Sequence, residues 1–164
     1  MNQLTPMSEQ RALAHHNGGQ EAQEQVFVTV YVQNQLFGIP IGRVQDILIP
    51  ENVAHIPLAP AEVAGAINLR GRIVTVVDVR TRLGLPPLEG DKAQRMCVTV
   101  EQGNELYSLM VDSVGEVKSL RIDKIESNPS TLNPRWRTIS TGVVRLEGEL
   151  MVICEVDSLL GFSQ

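Results

Sequence analysis

The sequence repeats itself, and that limits the folds open to it. At an offset of 70 residues, Val28-Thr29-Val30 returns as Val98-Thr99-Val100 and Asn34-Gln35-Leu36-Phe37 as Asn104-Glu105-Leu106-Tyr107. Val44-Gln45-Asp46-Ile47 returns as Val114-Gly115-Glu116-Val117 at the same offset. At an offset of 77, Gly65, Leu69 and Gly71 return as Gly142, Leu146 and Gly148, and Leu83-Gly84-Leu85 as Leu160-Gly161-Phe162. The change of offset places seven further residues between Lys118 and Gly142, in a segment that holds Asn128-Pro129, Asn133-Pro134 and the only tryptophan, Trp136. Several matches in one order mark a duplicated small β unit.

The unit reads as strands and turns. Val26, Val28, Val30 and Val32 alternate with Phe27, Thr29, Tyr31 and Gln33, which is strand periodicity. Gln33-Asn34-Gln35 supplies a turn, and Leu36 to Ile41 a second strand made irregular by Pro40. Gly42 to Ile49 continues as a bent strand or short helical turn, Val53 to Ile56 as a further short strand, and Pro60 to Ala64 as a brief helix. The stretch Gly65 to Val79 is a hairpin turning at Arg70-Gly71, because Gly71 suits a position of positive φ. The β-branched run Ile73 to Val79 predicts burial on both faces, and Asn68, Arg70 and Arg72 then stand at the mouth of the hairpin. Thr81 to Leu85 is a helical turn stopped by Gly84, Pro86 and Pro87.

The expected fold class is therefore all-β, with two similar barrels in succession and short helical turns. Residues 26–90 form the first barrel and 91–164 the second, with a strand free to cross between them. Residues 1–25 are poor in large apolar side chains and cannot offset their ordering entropy, so they form a disordered tail, with a transient helix over Ser8 to Ala14.

Composition excludes several function classes. A net charge of −5 lacks the basic footprint of general nucleic-acid binding. No apolar run is long enough to insert in a membrane, and the N-terminus has no basic region followed by an apolar core, so the cytoplasm is the default compartment. His15 and His16 have no further metal ligands nearby, and Cys97 and Cys154 lack a metal-ligand spacing, so neither a metal nor another cofactor is expected. The repeat places Cys97 where the first half has Phe27 and Cys154 where it has Val77, which makes both thiols buried and inert.

Nothing in the chain requires catalysis. The only histidine beyond the tail is His55, and no phosphate-cradling glycine motif occurs. Asp78 and Glu155 are repeat mates near strand ends, which suggests structural hydrogen bonding at equivalent turns. A small β-barrel ligand binder or hydrolase using such acidic strand ends is the alternative reading, and it requires a deep polar pocket. The other reading is docking, in which Arg70 with Asp46 orients a partner while Val44 and Val114 give apolar contact; residue chemistry alone allows equally that Arg70 is a solvated turn residue and the valines are core.

The stretch Gly65-Ala-Ile-Asn-Leu-Arg-Gly-Arg-Ile-Val-Thr-Val-Val-Asp-Val-Arg80 resembles the signature of the CheW family of bacterial chemotaxis coupling proteins. Val44 to Ile47, Val111 to Val117 and Gly148 to Ile153 agree with that family in the same order, from about Val26 to Phe162. The resemblance implies two five-stranded barrels like those of SH3 domains, packed about a shared core. It implies a non-enzymatic adaptor bridging chemoreceptors and the histidine kinase CheA in arrays at the inner face of the membrane. By motif position, the receptor-facing groove takes Val44, Asp46, Gly65, Arg70 and Val114. The kinase-facing surface, for the regulatory domain of CheA, takes Ile49, Val53, His55 and Ile56 on the first barrel. Asp46 stands where the family commonly has glutamate, Thr75 where proline is frequent, and Pro40 where an acidic residue is common. The domain within CheA and the first half of CheV-type proteins are similar, and a coupler of a non-chemotaxis pathway fits the same motifs.

Overall fold

The computed structural model describes residues 23–87 and 95–162. Most of the expected tail lies outside them, but Glu24 and Gln25 already belong to the first strand. The first half contributes β1 (Glu24–Val32), β2 (Gln35–Pro40), β3 (Val44–Leu48), β4 (Val63–Leu69) and β5 (Arg72–Asp78). The second contributes β6 (Met96–Gln102), β7 (Glu105–Val111), β8 (Ser113–Arg121), β9 (Ser140–Leu146) and β10 (Glu149–Cys154). Among the described residues, three single-turn α-helices, α1 (Val79–Arg82), α2 (Pro134–Arg137) and α3 (Val156–Leu159), follow or precede strands.

The ten strands form two five-stranded sheets, as expected, but the sheets are not the sequence halves. One has the order β8-β1-β2-β10-β9 and the other β3-β6-β7-β5-β4. Each half thus lends two strands to the sheet completed by the other half's three. The division at residues 90 and 91 therefore does not separate the barrels. The chain changes sheet at two short links. A single residue, Asp112, joins β7 to β8, and only Ile41–Arg43 joins β2 to β3. A hairpin needs at least about two loop residues with special φ, so the one-residue link cannot reverse and runs on into the other sheet.

The duplication survives the exchange in register. Val152 of β10 lies beside Phe37 of β2 in a parallel pair. The repeat-related pair of β5 and β7 sets Thr75 beside Tyr107. A bulge interrupts β8 between the partners of Val28 and Val30, and its mate interrupts β3 between Val44 and Asp46. Each sheet curls until the segment after its edge strand reaches the far edge, through bridges Ala54–Ala66 and Glu126–Val143.

The shared core lies between the sheets. Val30, Val32 and Phe37 meet Val98, Val100 and Leu109 there, with Val79 of α1 and Val156 of α3 closing the ends. Each barrel has a smaller cluster of its own, around Phe27, Leu36 and Met151 in one and around Val74, Val76 and Cys97 in the other. Repeat mates take equivalent places: Cys97 and Phe27 are each inside a barrel, Cys154 and Val77 both in the shared core. The thiols are free and buried, and desolvation pushes both pKa values up to about 12.

Three local expectations need correction. Pro60 to Ala64 is a turn, in which the Val63 N–H bonds to the Pro60 carbonyl, and β4 starts at Val63. The segment Val53 to Ile56 pairs only through Ala54. Ile73 is 70% exposed, because the end of the β4–β5 hairpin projects beyond its sheet's core and covers only one face.

Candidate functional site

The β4–β5 hairpin closes with Leu69 opposite Arg72, so Arg70-Gly71 is a two-residue turn. Both residues have positive φ, 51° at Arg70 and 87° at Gly71, which is the type I′ pattern matched to strand twist. Asparagine two residues before the turn has a purpose: Asn68 Oδ1 accepts from the Gly71 N–H at 3.0 Å. Arginine is an unfavourable choice for the left-handed region. Its guanidinium leaves the turn and donates to Asp46 Oδ2 at 2.8 Å.

Asp46 is fixed before Arg70 reaches it. It follows the β3 bulge, and its Oδ1 accepts from the Ile47 N–H at 2.9 Å. Its side chain is 24% exposed and that of Arg70 74%. The pair forms one wall of a groove of about 190 Å³ that is also lined by Leu69, Leu106, Arg72 and Glu101. Such a mixed, open groove suits recognition of a protein segment rather than enclosure of a small molecule.

The expected receptor-facing set is only partly brought together. Arg70 and Asp46 share the groove. Val44 and Val114 do not line it; they pack half-buried against the shared core, as repeat mates on opposite sheets. Gly65 is buried in β4, with φ of 152°. A Cβ there would run into the Ala54 carbonyl oxygen and come within 2.7 Å of Val53 Cγ1. A Cβ on its mate Gly142 would likewise come within 2.7 Å of the Glu126 carbonyl oxygen. Gly65 thus lets the Ala54 segment seal its barrel.

The expected kinase-facing residues occupy that sealing segment, on the same sheet as Arg70. Paired N–H···O bonds of 2.8 and 2.9 Å between Ala54 and Ala66 pin it. Ile49 and Val53 are exposed apolar side chains, His55 is exposed, and Ile56 is half-buried. Sequence reading missed Leu58, which is fully exposed with φ of 65°, and Ile47 and Ile73, which enlarge the apolar surface of this sheet. The available signal was an isolated leucine between Pro57 and Pro60.

The acidic strand ends hold the structure. Asp78 accepts from the Arg80 and Thr81 N–H groups at the start of α1, and Glu155 accepts from Ser158 Oγ at 2.8 Å at the start of α3. The Asp78 contacts cap α1, whereas the Glu155 bond joins two side chains within the first turn of α3.

The CheW-like domain model matches residues 26–164, nearly the whole chain. The chain belongs to the CheW-like domain family. It is 29% identical over 143 residues to the chemotaxis protein CheW of Rhizobium meliloti, covering 87% of this chain and 88% of that protein. It is 26% identical over 161 residues to the CheW of Helicobacter pylori, covering 97% and 96%. Among solved structures it resembles the scaffolding protein CheW of Thermoanaerobacter tengcongensis, with a TM-score of 0.76 and 24% identity over 86% of this chain and 95% of that one. The fold is that of the CheW-like domain, two five-stranded SH3-like barrels about a common core. In this CheW-like domain Arg70, Asp46 and the Ile49–Ile56 segment belong to one barrel, the one built on β3-β6-β7-β5-β4, and Val114 to the other.

Proposed function

We infer that this chain is a non-enzymatic adaptor that couples chemoreceptors to the histidine kinase CheA in chemotaxis signal transduction. The observation that carries this reading is the Arg70–Asp46 pair, held at an exposed, conformationally fixed turn within a chain that the CheW-like domain spans over residues 26–164. The relatives named chemotaxis protein CheW support the pathway. The receptor's cytoplasmic tip docks at the Arg70 groove, with Val44 and Val114 at the margin of the shared core and Gly65 further along β4. The regulatory domain of CheA docks on Ile49, Val53, His55 and Ile56, where apolar side chains stand free of the core. An adaptor that joins receptor cytoplasmic tips to CheA acts in receptor arrays at the cytoplasmic face of the membrane. No helix among the described residues is long and apolar enough to cross a membrane, consistent with attachment through partners.

The test is a pull-down of the purified chain with CheA and with a receptor cytoplasmic fragment, separately and together. The adaptor binds each alone and both at once. Capture of neither partner would overturn the reading.

A further inference from the structure

We propose that Arg72 and Glu101 are the specificity-determining pair of the Arg70 groove, reading a receptor segment that carries a carboxylate and a cation on either side of an apolar side chain. This rests on the reading of that groove as the receptor-facing site.

The groove holds four charges in two different states. Arg70 and Asp46 neutralise one another at 2.8 Å. Arg72 and Glu101 form no ion pair among the described residues. The polar contact of the Arg72 guanidinium is a long one, Nη2 to the Asn104 carbonyl oxygen at 3.4 Å, which holds it toward the β6–β7 turn. The Glu101 carboxylate has no hydrogen-bond partner among the described residues; its residue contributes only its backbone carbonyl, to Arg43 Nη2 at 3.1 Å. Leu69 and Leu106 line the groove with them and supply apolar surface.

The duplicated unit provides an internal comparison. The repeat mates of Arg72 and Glu101 are Glu149 and Tyr31 on the other sheet. There the two positions are bonded to each other, Tyr31 Oη donating to Glu149 Oε2 at 3.2 Å. In one barrel they close on themselves, and in the other they carry opposite charges left open.

An open charge is the better recognition element. A carboxylate arriving at Arg70 competes with Asp46, whereas one arriving at Arg72 displaces only water and a weak carbonyl contact. Guanidinium offers it a planar fork of donors. Glu101 imposes the complementary demand for a cation and repels a segment carrying acids alone, so the pair sets register as well as sign.

The test titrates a fluorophore-labelled soluble fragment of a chemoreceptor cytoplasmic tip from the same organism against the full chain and its variants, at low and high salt. Arg72→Ala and Glu101→Gln each weaken binding about tenfold at low salt, and Arg72→Glu weakens it further. The loss for Arg72→Ala shrinks at high salt, because the contact is exposed. Arg72→Lys restores part of the affinity, and melting curves and CheA binding stay as in the parent chain. If the parent chain binds and Arg70→Ala weakens it, but Arg72→Glu and Glu101→Gln leave affinity unchanged, this inference is overturned and the Arg70 groove stands. If the parent chain does not bind the fragment, both fall.

Discussion

Arg80 of α1 donates two parallel hydrogen bonds to Asp112, Nε to Oδ1 at 2.9 Å and Nη2 to Oδ2 at 2.8 Å. The same carboxylate accepts from the Gln33 N–H at 2.7 Å, in the β1–β2 turn. Asp112 is the single residue on which the chain crosses from one sheet to the other. The repeat-related crossing, from β2 to β3, is also held by an arginine–aspartate pair, Arg43 with Asp157 at 2.9 Å. The roles are reversed: acid on the link and base on the helix in one, base on the link and acid on the helix in the other. Arg80 and Asp112 side chains are 11% and 19% exposed, those of Arg43 and Asp157 32% and 57%.

The two crossings should therefore differ in their stability contribution. Arg80→Met leaves Asp112 half-buried with only the Gln33 N–H and should cost about 2–3 kcal/mol, whereas Arg43→Met should cost about 1 kcal/mol or less. Chemical denaturation of both variants beside the parent chain measures the difference. Equal costs would mean that burial of the Asp112 crossing adds nothing.

Acid should weaken the Asp112 crossing specifically. Burial opposes ionisation of Asp112, but the bonds from Arg80 and the Gln33 N–H outweigh it and hold its pKa below the ordinary value of 3.8. A depressed folded pKa gives stability that is fully present above the unfolded value and is lost as pH falls through the folded one. The gap in melting temperature between the parent chain and Arg80→Met should be constant from pH 7 to about pH 5 and narrow below pH 3.8. A gap that widens in acid would contradict this.

Arg70 should be dispensable for folding and needed for receptor binding. Arg70→Ala should change stability by no more than about 0.5 kcal/mol and lower receptor affinity by about 1–3 kcal/mol, with CheA binding nearly unchanged. Arg70→Gly should lose the same affinity yet melt at or above the parent temperature, because glycine adopts φ of 51° without a Cβ penalty. Titrations against each partner with melting curves separate the two effects, and a lowered melting point in Arg70→Gly would assign the guanidinium a structural role.

Gly65 should behave in the opposite way. Gly65→Ala drives a Cβ into the Ala54 carbonyl and should cost about 2–4 kcal/mol, with receptor and CheA binding falling together as the fold weakens. Gly142→Ala, at the equivalent seal of the other barrel, should be costly too. A Gly65→Ala chain that melts normally but has lost only receptor binding would make this glycine a contact residue.

Cys97 and Cys154 should label only through unfolding. With thiol pKa values near 12, almost no thiolate is present at pH 8, and neither sulfur is accessible. Reaction with a maleimide should be slow in buffer and rapid in denaturant. Fast native labelling of either thiol would place it outside the core.

The sequence by itself determined the duplication, the strands and the hairpin turn, because each is written in neighbouring residues. Alternating valines set β1, Asn68 with Gly71 set the turn, and Phe27 and Val77 revealed what Cys97 and Cys154 would be. It also offered Arg70 and Asp46 as a pair at a docking cleft, a reading that the family motif strengthened. The tertiary structure alone decided which strands pair. A repeated strand pattern is equally consistent with two self-contained barrels and with exchanged ones, since period and register are the same in both. The one-residue link at Asp112 selects exchange, and the consequence is long-range: β10 lies beside β2 and β5 beside β7. Exposure of Ile73, burial of Gly65, and the open charges of Arg72 and Glu101 follow from the tertiary packing. No local pattern specifies them, because each depends on what a distant strand leaves uncovered.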